Sequence, residues 1–280
     1  MKLAVIADIH ANLSALETVV DHLDAWQPDV VVVAGDIVNR GPRPLECLRF
    51  VQARECSEGW LTVLGNHEEY VIAQSRPDAP RVGPAFEIFQ SSYWTYQQLR
   101  CDVSSLEALP FQQTVPVEDG TEVRIVHASV RGTRDGIFPE TPDAVLSKQI
   151  GRPHVPLFCV GHTHWPLVRQ LDHTLVVNVG AVGMPFDGDR RASYGQLTWR
   201  HGQWQAEIVR LPYDWLRAER DYVRTGFLDE GGPFARLMLV ELQRAQSQLY
   251  GWTNTYEQAV LAGELSVQDS VDRYLANQSL

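Results

Sequence analysis

Residues 30–34, Val-Val-Val-Val-Ala, form an apolar, β-branched run that stops abruptly at Gly35 and Asp36. A run apolar at successive positions suits a strand buried on both faces of a sheet, and the carboxyl ends of such strands are where α/β folds place ligands. The construction recurs. Residues 3–7 lead to Asp8-Ile9-His10, 60–64 to Gly65-Asn66-His67-Glu68, 122–126 to His127, and 157–160 to Gly161-His162-Thr163-His164. Strand alternation sets Asp8 and His10 on the same side of the chain. If these strand ends converge, burying their carboxylate, amide and imidazole groups without a cation carries a large desolvation penalty, which metal coordination relieves.

Between the strands the apolar period changes. Leu13, Leu16, Val19, Val20 and Leu23 recur at helical spacing after the first strand, as do Leu45, Leu48 and Val51 after the second. Residues 74–110 are less regular. Pro77, Pro80, Gly83 and Pro84 precede a helix carrying Phe86, Phe89, Tyr93, Trp94 and Tyr96, and the stretch reads as an insertion covering the strand ends. Its aromatic stripe fits packing on the core, or stacking on a base. Strands are expected at 114–117 and 122–126, a helix at 141–150 with Thr141 as its cap, and hairpins at 167–179 and 193–209. The glycine-rich stretch 178–183 lets backbone approach a ligand closely.

After Pro212 the pattern turns helical, at 213–224, at 233–250 and in two shorter stretches. The chain therefore divides into residues 1–212 and a helical extension, 213–280, without clustered ligands. The extension is expected to pack on the first part or on a partner subunit, a homo-oligomer included.

The 280 residues are 44% hydrophobic, enough for one large core with an appendage. A formal net charge of −11 argues against a broad basic face for duplex nucleic acid or anionic lipid. The apolar start is too short for a signal peptide or a membrane span, so the expectation is a cytoplasmic protein with no membrane partner. Cys47, Cys56, Cys101 and Cys159 show no Cys-x-x-Cys spacing and read as reduced thiols.

Asp8-Ile9-His10, Gly35-Asp36, Gly65-Asn66-His67-Glu68, His127 and Gly161-His162-Thr163-His164 together closely resemble the calcineurin-like metallophosphoesterase superfamily in order, spacing and strand context across roughly residues 1–212. Residues 178–194 resemble its compact bacterial phosphodiesterase branch. The resemblance implies a four-layer α/β/β/α sandwich. It implies one divalent metal held by Asp8, His10, Asp36 and His164 and a second held by Asp36, Asn66, His127 and His162, with Asp36 bridging, one oxygen to each ion. Manganese is the first choice; the mixed donor set also suits iron, zinc or cobalt. The activity implied is hydrolysis of a phosphodiester or small phosphoanhydride, by attack of a hydroxide shared between the metals.

His67 matches the family's histidine that protonates the leaving oxygen or stabilises the transition state; a supporting role behind the ligands is the alternative. Arg40 resembles the phosphate-binding arginine of the protein serine/threonine phosphatase branch, with an exposed loop arginine as the other reading. That branch has an aspartate where Asn39 stands beside the candidate substrate-binding Arg40, and an arginine at Leu64. Both departures favour a phosphodiesterase over a protein phosphatase. Dinucleoside polyphosphate hydrolysis is a further alternative, and a metal-stabilised interaction module is the reading from a different class.

Overall fold

The computed structural model describes residues 1–278; the last two positions of the 213–280 extension lie outside the described residues. The chain opens with β1 (Lys2–Ile6), α1 (Leu13–Trp26), β2 (Val30–Val33), α2 (Pro44–Glu58) and β3 (Leu61–Thr62). Asn12 starts α1 by accepting the Ala15 N–H at 3.1 Å, and Pro44 opens α2, where its missing N–H would have gone unpaired. Then come α3 (Asn66–Ala73), α4 (Pro84–Ile88), α5 (Gln90–Gln98), α6 (Ser104–Glu107), β4 (Gln112–Pro116), β5 (Glu122–Val126), α7 (Asp143–Ile150), β6 (Leu157–Val160), β7 (Leu167–Leu171) and β8 (Thr174–Asn178). The final hairpin is β9 (Ala192–Arg200) with β10 (Gln203–Leu211). The tail comprises α8 (Trp215–Arg224), α9 (Phe227–Glu230), α10 (Phe234–Arg244), α11 (Leu249–Leu261) and α12 (Val267–Gln278).

The strands form two five-stranded sheets, ordered β10-β9-β1-β2-β3 and β4-β5-β6-β8-β7. In the first, β1 runs parallel to β2, Leu3 opposite Val30, and β9 closes antiparallel on its other edge. In the second, β5, β6 and β8 are parallel. Strand alternation builds the layers. Leu3, Val5 and Val32 of the first sheet meet Val123, Leu157 and Val177 of the second in one core. Ala4 and Ile6 face the other way, onto Leu16, Val19 and Val51 of α1 and α2. Phe158 and Val160 likewise face Leu146 and Ile150 of α7. Helix, sheet, sheet and helix follow in order, the expected four-layer sandwich with helices added at the C-terminus.

Three local differences from the sequence reading have physical causes. The third strand pairs over less than 60–64, because the Val63 N–H still reaches Val33 but the Leu64 N–H turns away to the Pro110 carbonyl. Helix α7 begins after Pro142, and Thr141 instead accepts the Phe138 N–H through its hydroxyl. The helix expected over 233–250 breaks at Ala245, which is left-handed at φ 50°, and α11 restarts where Glu241 accepts the Gln248 and Leu249 N–H groups.

The tail packs within the chain. Trp94 of α5 lies in one core with Tyr222, Phe227, Phe234, Met238 and Trp252. The insertion's aromatic stripe thus divides: Trp94 is core, whereas Phe89 lines a pocket at the strand ends. Among the described residues no helix is long and apolar enough to cross a membrane, and all four cysteines are free.

Candidate metal centre

The turns that follow β1, β2 and β6 carry Asp8, His10, Asp36, His162 and His164, and every one of these residues is left-handed, with φ between 46° and 68°. Non-glycine residues hold that conformation only where their surroundings demand it. Two glycines permit the close approach. A Cβ on Gly65 would stand 2.1 Å from Asp36 Oδ1, and one on Gly161 would stand 2.3 Å from Asp8 Oδ2.

The approach fixes each carboxylate. Asp8 Oδ2 accepts the His162 N–H at 2.8 Å, and Asp36 Oδ1 accepts the His67 N–H at 2.9 Å. The other oxygen of each then faces the interior. Asp8 Oδ1 has no hydrogen-bond partner and lies 3.2 Å from His164 Nε2. Asp36 Oδ2 lies 3.6 Å from His10 Nε2 and 3.4 Å from His127 Nε2. Asp8, His10, Asp36 and His164 can thereby bring ligand atoms within 4.8 Å of one another, as can Asp36, His127 and His162. Asp36 belongs to both groups, and rather than offering one oxygen to each side it turns Oδ2 alone to both histidines, because Oδ1 is held by the His67 N–H. Asn66 joins the second group, its Oδ1 lying 2.9 Å from His127 Nε2 and 2.8 Å from His162 Nδ1.

Two outer ring nitrogens have carbonyl partners, whereas His10 Nδ1, also buried, has none. His127 Nδ1 meets the Ala34 carbonyl at 2.8 Å and His164 Nδ1 meets the Met184 carbonyl. A proton on each Nδ1 satisfies those carbonyls and leaves Nε2 free to ligate. His164 also stacks on Phe186 at 4.2 Å. The chemistry of this donor set fits divalent cations: one buried carboxylate oxygen is orphaned, and imidazole nitrogens crowd at 3.1 Å between His10 and His164.

Electrostatics follow from burial. Burial opposes the Asp36 charge, but His127 and His67 outweigh it and hold the carboxyl well below the usual range. Burial also opposes a charged His127, yet Asp36 lifts that ring to about 10, so its Nε2 would have to give up a proton to ligate a metal. Burial, then neighbouring imidazoles, push His10 well below its ordinary value and His162 down to about 4; burial also drives His67 well below its ordinary value.

His67 is half-buried and faces the pocket. The Asn39 amide donates to its Nδ1 at 3.0 Å and to Ser92 Oγ at 3.0 Å, while the Thr95 hydroxyl approaches Asn39 Oδ1 at 3.4 Å. Arg40 is buried and ion-paired with Glu241 of α10. Leu64 does not line the pocket.

Two carboxylates without an expected role, Glu68 of the Gly65–Glu68 motif and Glu241 of the tail, support the site. Glu68 is wholly buried and accepts four backbone N–H groups, from Asp36, Ile37, Val38 and Gly65, at 2.8–3.1 Å. Burial and Asp36 push it up to about 7 against the pull of those donors. A glutamate three residues after a side-chain-less helix cap was its signal. Glu241 sits on the apolar stripe Phe234, Leu237, Met238, Leu242, where a charge requires a partner.

Residues 1–202 match the model of the calcineurin-like phosphoesterase superfamily domain. Protein MJ0912 of Methanocaldococcus jannaschii is 28% identical over 240 residues, 79% of this chain and 92% of its own length. A symmetrical bis(5'-nucleosyl)-tetraphosphatase of Stutzerimonas stutzeri is 41% identical over 70 residues, 24% of either chain. The crystal structure of a metallophosphoesterase from Sphaerobacter thermophilus superposes with a TM-score of 0.68 at 28% identity, over 88% of this chain and 100% of that one. A Pyrococcus horikoshii protein, PH1004, shares the fold at 19% identity and a TM-score of 0.70, over 84% and 97%. With the family model covering the sandwich up to the start of β10 and every strand-end turn that carries a candidate ligand, the chain belongs to the calcineurin-like phosphoesterase superfamily.

Proposed function

We propose that the protein is a dinuclear metal-dependent phosphoesterase that hydrolyses a phosphodiester or small phosphoanhydride. The observation that carries this reading is Asp36, which is common to two ligand groups beside one pocket. Asp8, His10, Asp36 and His164 would hold one ion, and Asp36, Asn66, His127 and His162 the other, manganese being the first choice. Bound there, divalent ions acidify water and neutralise phosphoryl oxygens.

The chain's own groups do the rest. Because Asn39 donates to His67 Nδ1, that nitrogen is unprotonated and the ring proton is on Nε2. Burial keeps the ring neutral. His67 therefore acts as a hydrogen-bond donor that stabilises charge on the leaving oxygen. The walls contributed by Ile88, Phe89 and Phe234 reduce the access of water to the site.

A second reading, dinucleoside tetraphosphate hydrolysis, draws on the short likeness to the Stutzerimonas stutzeri enzyme. Chelator-treated protein should be inactive and should regain turnover of bis(4-nitrophenyl) phosphate with manganese, and diadenosine tetraphosphate and a phosphopeptide should be poorer substrates. Turnover indifferent to chelation would contradict the reading.

A further inference from the structure

The pocket over the metal centre encloses about 310 Å³ and has an unusual charge balance. Besides the candidate ligands and His67, its charged lining residues, among those described, are Arg40 and Glu257. The Arg40 guanidinium is engaged by the wholly buried Glu241. Glu241 cannot swing away freely, since its other oxygen accepts the Gln248 N–H at 2.8 Å and the Leu249 N–H at 3.0 Å at the start of α11. The loop is fastened to the tail twice more, by the Tyr222 hydroxyl on the Arg40 carbonyl at 3.1 Å and by Arg43 on Asp221 at 2.8 Å. Nearby Arg134 is also paired, with Glu69 at 2.7 Å. Outside the centre, then, every cation of the described lining has a carboxylate partner, Arg40 keeping only its buried Nε–H without an acceptor. What it offers is apolar: Ile88, Phe89, Phe234, Met238 and Leu249.

We propose that Glu241 is a specificity-determining residue: by neutralising Arg40 it makes the pocket select a monoanionic phosphodiester with an apolar or aromatic ester group over dianionic monoesters and polyphosphates. The inference rests on the phosphoesterase reading above and deepens it. A diester places its single charge at the centre and its ester group on the apolar wall. A monoester dianion or a polyphosphate brings further charge that finds no free cation and meets Glu257. The two carboxylates responsible, Glu241 and Glu257, lie in the tail, beyond the 1–202 match to the family.

The test compares kcat and KM for bis(4-nitrophenyl) phosphate and 4-nitrophenyl phosphate, which share a leaving group, in manganese-loaded full-length protein. The wild type should favour the diester. Glu241→Gln, which keeps the shape and removes the charge, should raise the monoester-to-diester ratio of kcat/KM about tenfold, mainly through KM, as a screened unit charge would. Glu257→Gln, a partly exposed site, should shift the ratio the same way and carries the test should Glu241→Gln fail to fold. A ratio that stays at the wild-type value, or rates that fall alike for both substrates, would overturn the inference and leave the phosphoesterase reading standing. A wild type that turns over neither ester would overturn both.

Discussion

Because Asn39 donates to His67 Nδ1, an aspartate at 39 would reverse the arrangement: a carboxylate accepts, so the proton would move to Nδ1 and the imidazolium would be favoured. Asn39→Asp is therefore expected to raise the His67 pKa, extending activity to higher pH, and to help esters with poor leaving groups more than aryl esters; pH–rate profiles for an alkyl and an aryl diester check this. His67→Ala should lower kcat about 10²–10⁴-fold for the alkyl ester while metal content, measured by mass spectrometry, stays at the wild-type level. A matching loss of metal would show the ring holding the centre instead. At this scale the sequence was most legible where residue type and position coincide, at the candidate ligands after apolar strands. It was least legible at Arg40, whose charge is settled by Glu241, 201 residues away. No spacing rule joins such a pair; only the tail's packing does.

Between the turns that carry the candidate ligands stands Glu68, and its four N–H bonds tie the loop after β2 to the start of α3. Replacing it by glutamine removes the charge and turns one oxygen into a donor facing donors. Glu68→Gln should cost about 3 kcal/mol of stability, read from urea unfolding, since buried donors left unpaired are expensive. An unchanged midpoint would mean that water serves those N–H groups. The strands and α1 were readable from period, because burial on one or two faces leaves a direct imprint on sequence. The α10–α11 break was not: the residues of 233–250 suit helix throughout, and the interruption comes from Glu241 gathering N–H groups across the gap.

Taken whole, the molecule closes its site with parts distant in sequence. Trp94 shares a core with Phe227 and Trp252, and the pocket's apolar wall comes from both the insertion and the tail. Ending the chain at residue 212 should expose that shared face and unpair Arg40, giving protein that binds hydrophobic dye and has lost turnover; a soluble, fully active fragment would show the tail to be dispensable. The layered architecture was legible from the order of strands and helices. How the tail meets the site was not, because an amphipathic helix announces that it has an apolar face and not what covers it. The central claim concerns Asp36, common to both ligand groups, and metal content per chain tests it most directly. After loading with manganese and removal of free ion, the wild type is expected to retain two ions and Asp36→Asn one or none, with turnover of bis(4-nitrophenyl) phosphate lost. Two ions retained by Asp36→Asn, with turnover intact, would contradict the account.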